Sequence, residues 1–94
     1  MIDEKNIILE LINGLSDVST LLYQQKYQQA LSDYTIVLDK MMDFFSKNNN
    51  ETINNKDVFY NSLSNALEAI QQKDYVLLAD VLEYELKEQL KELL

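Results

Sequence analysis

Apolar residues recur along this chain at intervals of three and four, the spacing that lines one face of an α-helix. The first stripe runs through Ile7, Ile8, Leu11, Leu15, Val18 and Leu22. A second follows at Tyr27, Ala30, Leu31, Tyr34, Val37, Leu38, Met41 and Phe45. A third comprises Phe59, Leu63, Ala66, Leu67 and Ile70, and a fourth Tyr75, Leu78, Ala79, Leu82, Leu86, Leu90 and Leu93. No stretch alternates apolar and polar residues for long enough to argue a strand. The pattern predicts an all-α fold.

Where the helices break is less plainly written. Residues 46–55 are polar and rich in asparagine, and they alone read as a substantial loop. Gln24-Gln25-Lys26 precedes Tyr27, and the same phrase, Gln71-Gln72-Lys73, precedes Asp74-Tyr75. A single helix over 3–46 would run ~66 Å at 1.5 Å per residue, longer than the remaining chain could cover. Folding back at both Gln-Gln-Lys phrases gives an antiparallel four-helix bundle made of two αα-hairpins. Its helices are expected near 3–23, 27–46, 57–72 and 74–93, with a loop at 47–56, all in one domain. Asp74 is expected to cap the last helix. The shared phrase is either a trace of a duplicated hairpin or ordinary helix-end chemistry. Gly14 falls inside the first helix, either because a neighbour approaches closely there or because the helix tolerates a cost of ~1 kcal/mol relative to Ala. Tolerance is the expectation.

Composition removes whole classes of function. The chain has 94 residues and a formal net charge of −8, with 16 acidic residues against 8 basic ones, all of them lysine. Phosphate neutralisation needs a basic face, so nucleic acid is not an expected partner. An anionic membrane surface repels the chain for the same reason. The longest apolar run, Tyr75 to Ala79, is far short of the ~20 residues that span a bilayer. Acids at Asp3 and Glu4 replace the positive charge that opens a signal peptide, which leaves the cytoplasm as the expected compartment. Without cysteine there is no disulfide and no thiolate; without histidine, no common proton shuttle and no imidazole ligand.

Each catalytic or metal constellation then fails on its own requirements. A ferritin-like site needs a Glu-x-x-His pair on two helices, and no histidine exists. A calcium loop started at Asn48 puts Ile53 where glycine belongs and Phe59 where glutamate belongs. The serines have neither a histidine base nor a Gly-rich elbow. The acids from Asp80 to Glu92 read as a solvated helix face. No catalytic residue, cofactor or metal ion is expected.

The last helix carries the sharpest signal for interaction. Leu77, Val81 and Tyr84, at i, i+4 and i+7, lie opposite the stripe that begins at Tyr75, so the helix is apolar on two sides. The second side should meet either more of the same domain or another molecule. These three residues are the candidate interface.

Two resemblances bear on the residues just described. Lys26-Tyr27-Gln28-Gln29-Ala30-Leu31-Ser32-Asp33-Tyr34 resembles the second helix of a tetratricopeptide repeat. That family repeats every 34 residues, whereas Tyr27 and Tyr75 stand 48 apart, so the likeness implies αα-hairpin packing alone. Residues 73–86, Lys-Asp-Tyr-Val-Leu-Leu-Ala-Asp-Val-Leu-Glu-Tyr-Glu-Leu, resemble the C-terminal segment of small helical proteins of unknown function from Gram-positive bacteria. That resemblance implies a bacterial cytoplasmic protein with no established activity. The sequence therefore leads to a small acidic interaction or accessory module without catalytic activity, binding another protein or, weakly, itself. The alternative is an immunity or antitoxin-like inhibitor that masks a basic site on its partner.

Overall fold

The structure, a computed structural model, describes residues 4–47 and 56–94. The described residues are all-helical, with no strand among them. Helix α1 spans Glu4–Tyr23, α2 Tyr27–Lys47 and α3 Lys56–Gln71. The last helical stretch has three parts: α4 (Tyr75–Val81), a π-helical turn (Leu82–Leu86) and α5 (Lys87–Lys91). Of the loop expected at 47–56, Lys47 closes α2 and Lys56 opens α3, and residues 48–55 lie outside the described residues.

The two Gln-Gln-Lys phrases build the same turn. After α1, the Lys26 amide donates to the Leu21 carbonyl at 2.9 Å and the Gln25 amide to the Leu22 carbonyl at 3.0 Å. After α3, the Asp74 amide donates to Ala69 at 2.9 Å and the Lys73 amide to Ile70 at 3.0 Å. This is the Schellman arrangement, in which a left-handed residue reverses the chain and satisfies the helix's last carbonyls. Gln25 (φ 64°) and Lys73 (φ 56°) supply the left-handed residues. Neither is glycine, so both turns carry the steric cost of a Cβ in that region. Asp74 then caps α4, its side chain accepting from the Leu77 amide at 3.1 Å.

The core is a set of side chains with almost no contact with water. Ile8, Leu11, Leu15 and Val18 of α1 are part of it, together with Met41 of α2 and a leucine ladder at 78, 82, 86 and 90. Helix α1 lies along α2 and also along the whole last helical stretch, while α3 packs against α4 and the π-helical turn. At Gly14 the neighbour does approach closely. A Cβ built there would stand 2.8 Å from a methyl of Val37, so the glycine is required by the α1–α2 contact and is not simply tolerated.

The π-helical turn follows from the leucine spacing. Residues four apart over-run a 3.6-residue turn by about 40° at each step, so a ladder with an exact period of four drifts off the core face of an α-helix. The Lys87 amide donates to the Leu82 carbonyl, five residues back, which locally raises the number of residues per turn. That offsets the drift. All four leucines stay fully buried.

Candidate functional site: an apolar groove between the second and third helices

Small residues decide which helices come close. Ser62, Ala66 and Ala69 are buried on α3, which packs along α4, and Gly14 lets α1 close on α2. Helix spacing follows the side chains at the contact, so small residues allow short separations. Among the described residues, helices α2 and α3 make almost no direct backbone approach. They meet edge to face through Phe45 and Phe59, whose ring centroids lie 4.6 Å apart. Beyond that contact a groove of about 530 Å³ opens between them.

The walls of the groove are apolar. Tyr34, Leu38 and Met42 line it from α2, and Tyr60, Leu63 and Leu67 from α3. Thr35 and Ser64 add two hydroxyls, and Ile70 closes the end near the turn that follows α3. Three of these side chains stand in water to a degree that their chemistry does not favour: Met42, Tyr60 and Leu67, the last 55% exposed. Tyr34 sits at the base, and burial pushes its phenol from the usual 10 up to about 12.

The expected interface on the last helix is taken apart by the packing. Val81 is only 2% exposed and belongs to the core, so Leu77, Val81 and Tyr84 do not form one surface. Val81 stands three residues after Leu78, which turns it toward the same buried side. Leu77 and Tyr84 remain exposed, at 42% and 71%. Beside them Tyr23 donates to Asp80 Oδ1 at 3.0 Å, and its phenol is held above the ordinary value by desolvation, then by that bond and the carboxylate's charge. Leu67 is also corrected. Its place in the third apolar stripe suggested core, and the structure puts it on the groove's open side.

A polar cluster joins α3 to the π-helical turn and α5. The buried Ser62 hydroxyl donates to Glu85 Oε1 at 3.0 Å and accepts from Gln89 Nε2 at 2.8 Å. Asn65 Nδ2 reaches the same carboxylate oxygen at 3.4 Å. One carboxylate with a serine and two amides fastens α3 to the last helical stretch. Among the described residues no three acids converge as metal ligands. No described helix is long and apolar enough to cross a membrane.

Reading along the stripes missed the groove, because Leu38, Leu63 and Leu67 look like ordinary core positions. The available signal was excess: Met42, Val58 and Tyr60 widen the apolar arcs of α2 and α3 beyond what one contact face can cover.

The described residues thus form a small all-helical fold with an open apolar groove between α2 and α3. The chain belongs to a family described as a domain of unknown function, DUF8042, whose model matches residues 3–94. No curated protein and no solved structure matches it significantly.

Proposed function

We propose that the chain is a non-catalytic interaction module that binds another protein through the groove between α2 and α3. The observation that carries this reading is the groove itself: an open apolar surface, with Met42, Tyr60 and Leu67 exposed together, on a molecule that buries its other stripes well. Such patches on small soluble domains mark interaction sites. The architecture behind it is an antiparallel four-helix bundle of two αα-hairpins, closed on three sides and open on the fourth. Cytoplasmic residence goes with the acidic surface and the lack of cysteine. The charge of −8 also favours a narrower form of the same reading, an inhibitor that masks a basic site on its partner.

The test is site-specific photo-cross-linking in the source cell. A photoreactive residue at Tyr60 is expected to yield one defined adduct, and the same residue at exposed Asn13 on α1 none. The purified partner should then bind the wild type directly and lose at least tenfold in affinity for Leu67→Gln. Equal adducts from both sites, or a partner indifferent to Leu67, would overturn the reading.

A further inference from the structure

We infer that the groove receives an amphipathic helix with basic flanks, contributed by the partner; this rests on the groove being the docking surface. The shape of the walls gives the first argument. Tyr34, Leu38 and Met42 stand at successive intervals of four on α2, and Tyr60, Leu63 and Leu67 at three and four on α3. The walls therefore run for eight to ten residues, about 12–15 Å, which is two to three turns of a third helix laid between them. An apolar helix face resting on two helical ridges is the helix-in-groove mode, read by anchors at i, i+3, i+4 and i+7. The volume of about 530 Å³ accommodates a row of side chains, with the helix body riding above the groove.

Charge along the rims supplies the second argument. Asp39, exposed on α2, lies one turn after Thr35 and just before Met42. On α3, exposed Asp57 precedes Tyr60 by one turn and exposed Glu68 follows Ser64 by one turn. Lys40, next to Asp39 in sequence, is turned away to Glu10 of α1 at 3.1 Å. Two further ion pairs, Lys87–Glu83 and Lys91–Glu88, lie on the last helical stretch, remote in sequence from both walls. An apolar floor with acidic rims complements leucines flanked by lysine or arginine. The same rims repel the carboxylate of a fatty acid. They also repel a second copy of this chain, which brings −8 against −8.

The probes are three helix-stapled, fluorescent peptides of about eleven residues, three turns. The first has leucines at i, i+3, i+4 and i+7 with lysines elsewhere, the second the same leucines with glutamates, and the third the first composition in shuffled order. The amphipathic lysine peptide is expected to bind the full chain at least tenfold more tightly than either control. Its affinity should fall several-fold as ionic strength rises from roughly 0.05 to 0.5 M. A Met42→Gln, Leu67→Gln chain should lose at least tenfold while keeping the wild-type circular-dichroism melt, since both side chains are exposed. Equal binding of the shuffled peptide would reduce the effect to bulk charge and overturn the inference. So would equal binding of the glutamate peptide, displacement of the lysine peptide by oleate, or a dimer in sedimentation that the double substitution abolishes. Failure here is separable from failure of the docking reading: a cross-linked partner that contacts Tyr60 through a segment other than a basic helix sinks this inference alone.

Discussion

Tyr27 and Tyr75, 48 residues apart, stack face to face with ring centroids 4.2 Å apart and planes inclined by 20°. Each opens a helix two residues after the left-handed residue of a Schellman turn, at Gln25 and Lys73. The residues that follow these two matching turns therefore meet each other. Stacked aromatic pairs contribute roughly 0.5–1.5 kcal/mol beyond the area they bury. A double-mutant cycle with Tyr27→Leu and Tyr75→Leu, read by urea denaturation, should return a coupling energy in that range. A coupling near zero would mean that the rings merely lie side by side.

The left-handed residues make a second prediction. Gln25 and Lys73 carry a Cβ where glycine is unstrained, at a cost of roughly 1–2 kcal/mol each relative to right-handed backbone. Gln25→Gly and Lys73→Gly should each stabilise the fold by about 0.5–1 kcal/mol, the remainder being offset by glycine's extra entropy when unfolded. Thermal melts would show this as a rise of a few degrees for each substitution. A fall in either melt would show that those turns are not left-handed in solution.

At Gly14 the sign of a substitution depends on one neighbour. An added Cβ meets Val37, whose branched side chain has little rotamer freedom in a helix. Overpacking of about 1–3 kcal/mol exceeds the ~1 kcal/mol that alanine gains in helix propensity, so Gly14→Ala should be destabilising. In a Val37→Ala background the same change should become stabilising by about 1 kcal/mol. Two denaturation series decide it, and an unchanged sign would mean that α1 and α2 are farther apart than described.

The serine between α3 and the end of the last helical stretch should respond more strongly than its size suggests. Ser62→Ala removes both the acceptor for Gln89 and the donor to Glu85, leaving polar atoms stranded across a helix contact. A loss of about 1–3 kcal/mol is expected. Gln89 Oε1 is itself buried without a partner, so Gln89→Leu should be close to neutral or slightly stabilising. The contrast between the two variants in urea is the measurement; similar losses for both would deny the cluster its asymmetry.

Alkaline pH should loosen the base of the groove. The folded chain holds the Tyr34 proton up to about pH 12, while the unfolded chain releases it near 10. Stability from this group is complete below pH ~10 and lost as pH rises through ~12, because the unfolded state gives up its proton first. Two units correspond to about 2–3 kcal/mol. Tyr34→Phe should therefore lose less stability than wild type between pH 10 and 12 in parallel melts. Identical pH profiles would place the phenol in water.

The sequence by itself determined the helical class, because four stripes at 3.6-residue spacing leave no other regular structure able to bury them. Local rules also reached Asp74, since a side-chain oxygen at a helix start is read from immediate neighbours. The positions that only the tertiary structure decided are those where two distant segments compete for one residue. Val81 could face outward by period counting, yet α1 and α3 both pack against α4, and Val81 is buried. Leu67 sits on a core stripe, yet α3 closes on α4 through its small face and α2 on α1 at the glycine, which leaves Leu67 beside an open groove. Gly14 meets Val37 twenty-three positions away, a distance over which no periodicity carries information. A stripe records that a residue would gain by leaving water. Which neighbour covers it, or whether any does, depends on how closely each pair of helices can approach.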